Sequence, residues 1–267
     1  HGFHQTATAG AFGATLASGR LLGLDSSQLR HALGLCGTRA SGLTSQFGSM
    51  GKPYNAGISA ANGVECATLA GLGFTSADDG LMGHQGFVGA HLPGGGAVTG
   101  PDLALDSYKF PDNKYKLHAC CHGLHPMIEA LQASEAAAGV PLDDIRSFSL
   151  STNPRWLAVC DIKRPRTGLE VKFSYNWLAG MTLRGDDTGD DRLFTDTIAS
   201  EAELGRFAER ISVTGDDELT DVQARGEISL TDGRAISVWF DLADPFTPEV
   251  LAEKLRRKSS TIIGEVS

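Results

Sequence analysis

Lys116–Pro126 reads KLHACCHGLHP, and the chain has a different character on either side of it. Ahead of it the sequence is rich in Ala and Gly, small side chains that let helix axes approach closely. Thr6–Leu22 predicts one helix. Asp25 and Ser26 offer cap oxygens to a second that runs to about Gly37, with Leu29, Leu33 and Leu35 supplying part of an apolar face. A third is expected from Ile58 to Leu72, stopping at Gly73, with a Gly- and Ser-rich loop, Ser41–Gly57, before it. Residues 80–101 hold too many glycines, together with Pro93 and Pro101, for a regular element and read as a long loop.

Behind Pro126 the periods are mixed. Gly123–Ala138 is helical, Arg146–Ser151 alternates like a strand, and Glu170–Leu183 returns to helical spacing. Ile211–Thr214, Ala224–Leu230 and Ile236–Leu242 read as strands, the last two joined by a Thr-Asp-Gly-Arg turn that predicts a hairpin. Thr247-Pro248-Glu249 looks like a helix cap followed by proline at the first helical position. The expected class is α+β: a helical domain over 1–110, an α+β domain over 111–244, and a return to helices over 245–267.

Thirty-two acidic against 23 basic residues leave a formal charge of −9, which repels polyphosphate and anionic lipid. Nucleic acid and membranes are therefore poor partners. No apolar run approaches the roughly 20 residues that span a bilayer, and HGFHQTATAG lacks the basic and apolar regions of a signal peptide. Five cysteines, two of them the adjacent Cys120 and Cys121, are an odd number that suits reduced thiols in the cytoplasm. The first residue is His1, with no initiator Met and no helix-start signal before it, so the chain is expected to be a piece of a longer polypeptide.

His118, Cys120, Cys121, His122 and His125 are all metal-ligand types, and zinc or an iron–sulfur cluster is the first chemistry to weigh. A closed zinc site draws paired ligands from two places, and the chain has no second Cys-x-x-Cys or His-x-x-x-His; a cubane cluster wants three or four spaced thiolates. Buried thiols leading into a helix fit better, and no metal is expected. His4 precedes the Ala-rich helix, where a positive helix end would hold its imidazole. Lys52 sits in SMGKPYNAG, whose glycines allow close backbone approach to a ligand. In an acidic protein, lysines in such tight contexts are natural partners for a substrate carboxylate. No GxxxxGK[ST], GxGxxG or GxSxG motif occurs, so nucleotide chemistry and serine hydrolysis lose their usual signals.

Four stretches carry a resemblance: Gly2–Asp25 (GFHQTATAGAFGATLASGRLLGLD), Ala40–Ser76 around Lys52, Tyr115–Leu131 (YKLHACCHGLHPMIEAL) and Glu170–Gly185 (EVKFSYNWLAGMTLRG). In order and together they resemble the MmgE/PrpD family, which includes 2-methylcitrate dehydratase, cis-aconitate decarboxylase and an iminodisuccinate epimerase. Gln5 stands where the family usually has Pro, and Asn55 where it commonly has His. The resemblance implies a helical domain built from the front and rear of the chain with an α+β lid inserted. It also implies a cofactor-free active site in the cleft between the two, and commonly a homodimer. Carried over residue by residue, it assigns catalysis to His4, Lys52, Lys116 and Tyr175, and substrate binding to Lys52, Lys116, Asn55 and His125. The implied reaction is a lyase step, hydration or dehydration of a small di- or tricarboxylate such as 2-methylcitrate. Decarboxylation and epimerisation are the alternatives within the family. Family members carry further helices, with an acidic residue and another histidine, ahead of the stretch around His4, and they continue beyond Ser267. The chain alone is therefore expected to have weak or no catalysis, and a truncated non-catalytic domain remains a second reading.

Overall fold

Small side chains decide how the front of the chain packs. In the computed structural model, which describes residues 2–92, 114–244 and 246–264, the chain divides into two units, His1–Pro111 and Asp112–Ser267. The boundary expected near residue 110 and the loop expected beyond residue 92 lie outside the described residues. The first unit contains α1 (Gln5–Leu21), α2 (Ser26–Gly37), α3 (Gly51–Gly71) and the short α4 (Phe87–His91). Asp25 caps α2 with a full capping box: its side chain accepts from the Gln28 amide while the Gln28 side chain accepts from the Asp25 amide. Helices α1 and α3 lie nearly backbone to backbone. A Cβ placed on Gly63 would come within 2.4 Å of the Ala14 Cβ and 2.6 Å of the Ala14 carbonyl carbon. Ala11, Cys36, Ala40 and Cys66 form the core between the three long helices, with Phe12, Leu35 and Phe87 packed against it.

Two expectations for this unit are corrected. Helix α3 begins at Gly51 rather than Ile58, so the loop ends about two turns earlier. Pro53 falls in the first turn, where a missing N–H costs nothing, and the Gly-Lys-Pro-Tyr run that reads as a loop is helical. Within residues 80–92, Phe87–His91 forms one helical turn, its aromatic rings stacked against each other and against Phe3 and Phe12.

The second unit carries α5 (His125–Ala133), β1 (Ile145–Thr152), α6 (Pro154–Cys160), α7 (Gly168–Val171), α8 (Tyr175–Arg184), α9 (Asp196–Ala199), α10 (Ala202–Ala208), β2 (Ile211–Gly215), β3 (Gln223–Leu230), β4 (Ala235–Asp241) and α11 (Pro248–Ile263). The class is α+β, as expected. The sheet order is β2-β1-β3-β4, with β1 parallel to β2 and the other pairs antiparallel. Ile211, Phe148, Ile228 and Ile236 are successive cross-strand partners and make one buried row, with α5 packed on β3 and β4. Arg225, Glu227, Ser237 and Trp239 alternate onto the other, wetter face, as antiparallel strands with one covered side should. Gly233, at φ 92°, closes the expected β3–β4 hairpin.

The helix expected over Glu170–Leu183 is two helices. Thr167 caps the first by accepting from the Glu170 amide, and Ser174 caps the second by accepting from the Trp177 amide. Between them Phe173 lies in a turn whose carbonyl accepts from the Ile162 amide, and Ser174 is extended and bridges to Asp161. The helix after Gly123 ends at Ala133 instead of Ala138, and α6, α9 and α10 were not legible from periodicity because each is seven residues or fewer. Thr247 caps α11 through the Val250 amide, with Pro248 in the first turn. Among the described residues no helix is long and apolar enough to cross a membrane.

The α1–α3 contact gives opposed expectations for two glycines inside one helix. Gly57 faces open space, so Gly57→Ala should stabilise the protein by about 0.8 kcal/mol through helix propensity. Gly63→Val should cost about 2 kcal/mol, because the added carbons meet backbone that cannot move aside. Urea unfolding followed by far-ultraviolet circular dichroism reads both, and equal shifts for the two variants would contradict the packing.

Candidate functional site

The first unit gathers His4 and Lys52 against the ring of Phe47, with Asn55 beside His4. His4 occupies the cap position of α1, with extended backbone at φ −83° and ψ 107°, and its amide donates to the Gly42 carbonyl at 2.9 Å. Phe3 bridges Leu43 on the same segment, so the strand-like entry to α1 is held against residues 42–44. Gly42, at φ 121°, lets that segment cross Asn55 and Ala7: a Cβ there would lie 2.4 Å from the Ala7 Cβ. The imidazole of His4 sits edge-on to Phe47 with ring centroids 4.9 Å apart, and the Lys52 ammonium lies 4.8 Å from the centre of the same ring. Asn55 is buried, and its amide nitrogen lies 3.1 Å from the Leu43 carbonyl oxygen and 3.4 Å from His4 Nδ1.

Two helix starts meet here. The contacts His4–Asn55, Thr6–Ser59 and Ala14–Gly63 advance together along α1 and α3, so the helices run in the same sense. Their positive ends are therefore on one side of the unit, with Lys52 in the first turn of α3. Burial first, and then the Lys52 ammonium, hold the His4 pKa below its ordinary value. The result is a half-buried neutral imidazole, a cation and two helix ends, a setting suited to an anionic ligand. Phe47 had no signal in the sequence beyond being a lone aromatic in a polar loop.

In the second unit Lys116 is exposed on an extended stretch that leads into buried chemistry. Lys172 and Lys258 are its cationic neighbours: Lys172 pairs with Asp191, and burial pulls the Lys258 pKa down, with Lys116 adding to the effect. Burial pushes the Cys120 thiol up to about 12, against the opposing pull of Lys116. All five cysteines are buried and free of disulfides. Tyr175 is completely buried; its hydroxyl donates to the Gly123 carbonyl at 2.9 Å and lies 3.1 Å from Thr152 Oγ1. That burial raises its pKa well above the ordinary value.

The histidines of KLHACCHGLHP have separate partners. His118 places Nε2 3.0 Å from Glu129 Oε1, and Thr188 Oγ1 lies 2.7 Å from its Nδ1. Lys254 of α11 reaches both Glu129 oxygens, at 2.8 and 3.1 Å. Burial tends to raise the Glu129 pKa, but the bonds from His118 and Lys254 outweigh it and hold the carboxyl low. Burial also lowers His118 by more than Glu129 raises it, which leaves a neutral ring between a carboxylate and a hydroxyl. His125 is stacked between His118 and His122 at centroid distances of 4.9 and 4.8 Å, and its Nε2 is buried without a hydrogen bond. Among the described residues no group of three or more His, Cys, Asp or Glu side chains is placed to hold a metal ion.

The model of the MmgE/PrpD N-terminal domain matches residues 1–98, and that of the MmgE/PrpD C-terminal domain matches residues 118–267. The chain is 32% identical over 143 residues to a cis-aconitate decarboxylase of Aspergillus terreus. It is 30% identical over 139 residues to the cis-aconitate decarboxylase-like protein oryM of Aspergillus oryzae. Each match takes in 49% of this chain and 29% of the relative's own length.

Burial of neutral histidines sets an acid limit on the second unit. Burial, and then the neighbouring His118, His122 and lysines, push His125 down to about 2. The unfolded chain therefore binds a proton below about pH 6.5 that the folded chain refuses, and stability falls as pH drops through that range, by up to about 1.4 kcal/mol per pH unit for this one group. His118 acts with the same sign. Trp156, Trp177 and Trp239 all lie in this unit, so urea unfolding followed by tryptophan fluorescence between pH 7 and pH 5 reports on it. His125→Phe should flatten the pH slope by about one proton, and an unchanged slope would show that His125 is not held neutral.

Proposed function

The chain belongs to the MmgE/PrpD family, and from that premise we propose that it forms part of a cofactor-free lyase acting on a small di- or tricarboxylate. The observation that carries the reading is the cluster of His4, Lys52 and Asn55 at two helix starts. Breaking a bond to the carbon beside a carboxylate leaves an electron pair that spreads into that carboxylate as an enediolate. Fixed cations and aligned helix ends stabilise such charge without reorganising, and a neutral imidazole beside the Lys52 cation can supply the proton that ends the step, the imidazolate left behind being stabilised by Lys52 and reprotonated from solvent.

In this reading Lys52 and Lys116 hold carboxylates and His4 transfers the proton. Asn55 and His125, assigned to substrate binding by the resemblance, act at one remove: Asn55 touches His4, and His125 lies inside the histidine stack. Tyr175 takes a positioning role, because its hydroxyl is bound to the Gly123 carbonyl at the turn that leads into α5. The two relatives are named for cis-aconitate decarboxylation, which puts that substrate ahead of 2-methylcitrate and iminodisuccinate. Work in the cytoplasm, as a homodimer without a bound metal, completes the proposal.

Full-length protein incubated with each of the three substrates and followed by NMR tests the reaction, and silence on all three would remove the lyase reading. Lys52→Ala and Lys116→Ala should each lower kcat/KM by about 100-fold or more on whichever substrate turns over. Unchanged turnover in either variant would remove that lysine from the site.

A further inference from the structure

We infer that Asn55 acts on His4 rather than on substrate, fixing the imidazole as the tautomer that carries its proton on Nε2. The assignment follows from which atoms of the amide face which neighbours. Asn55 is buried on the inner side of α3, where its nitrogen lies 3.1 Å from the Leu43 carbonyl oxygen. Turning the amide over would set its oxygen against that carbonyl, two acceptors with no proton between them, so the nitrogen must face Leu43. One amide hydrogen is donated to Leu43, and the other is left for His4 Nδ1 at 3.4 Å. A ring nitrogen that receives a hydrogen bond carries no proton, and a neutral imidazole then has its proton on Nε2.

The surroundings hold this geometry in place. The His4 amide is tied to Gly42, Asn55 is tied to Leu43, and Gly42 passes close to the Asn55 side chain, within 3.3 Å of its Cγ if a Cβ were present. Lys52 from the first turn of α3 is the charged group facing the ring, and it opposes a second proton. The consequence is directional. An Nε2–H imidazole gives a hydrogen bond to a developing enediolate, or its proton while the Lys52 cation stabilises the imidazolate left behind, and it cannot begin the cycle by accepting a proton at Nε2. Asn55 is thus a positioning residue for a proton donor. This rests on the reading of His4 as the group that transfers the proton, yet its test needs no turnover.

Histidine-15N-labelled full-length protein, observed through long-range 1H–15N correlations, reports the tautomer, with His4→Gln identifying the resonance among the 8 histidines of the chain. The expected spectrum has Nδ1 unprotonated and Nε2 protonated at neutral pH. A proton on Nδ1 in the unmodified protein would overturn the inference whatever the substrate assays give, and absent turnover would leave this result untouched. Asn55→Asp replaces a donor by an acceptor, so the proton should move to Nδ1 and the His4 titration midpoint should rise by at least about one pH unit, a tenfold gain in proton affinity. An unchanged tautomer and midpoint in a folded Asn55→Asp protein would also overturn it. Should that variant fail to fold, the spectrum of the unmodified protein still decides.

Discussion

Two helices in the first unit lie so close that only small residues fit between them, and the placement of the front cluster follows from that closeness. With Gly63 against the Ala14 backbone, α1 and α3 share one direction and a fixed register. Sliding either helix by one turn, a rise of about 5.4 Å, would separate His4 from Asn55 and Ser59 from Thr6. Such packing gains little from large apolar side chains. It depends on dispersion over many short contacts, and this is why Ala and Gly dominate the interface. Aligned helix ends are a cost, since parallel dipoles repel, and an anion at those ends is what would offset it.

The second unit is organised by a different constraint, a carboxylate that must not be left alone. Glu129 is nearly inaccessible, and an isolated charge in that position would cost several kcal/mol. Lys254 brings the compensating charge from α11, His118 brings a neutral donor, and Thr188 occupies the far side of the His118 ring. One buried acid thereby ties α5, α11 and the segments around residues 118 and 188 together. The sheet needs no such device. Its row of Ile211, Phe148, Ile228 and Ile236 is apolar throughout, and Gly226 leaves room for the Phe148 ring.

Where the sequence carried a local rule, the fold was readable from it. The Asp25 cap, the Thr247–Pro248 start and the Asp232–Gly233 turn are each decided by neighbours within four residues, and each formed as expected. Lys52 and Asn55 were legible as chemistry, but not as part of a helix, because Pro53 reads as a breaker unless its place in the first turn is known. The split at Phe173–Ser174 depends on pairing with Asp161 and Ile162, a contact that no local pattern announces. Tyr175 was legible as a residue of interest from its motif, whereas the burial of its hydroxyl beneath Gly123 is a property of the packed unit.

Histidines of one chain can be equally neutral and still differ in what they are able to do. Burial lowers His4, His118 and His125 alike, so a depressed pKa does not separate them. What separates them is access and the number of nitrogens already engaged. His118 has one nitrogen on Glu129 and the other on Thr188, and a proton could leave only by breaking a buried bond. His125 keeps an unbonded Nε2, but the ring is sealed between two others. His4 is half-exposed, is engaged by Asn55 at Nδ1, and stands beside a lysine at a helix start. Of these three rings, His118 and His125 are therefore closed into packing while His4 keeps a face toward solvent, and the neighbours of each ring decide which.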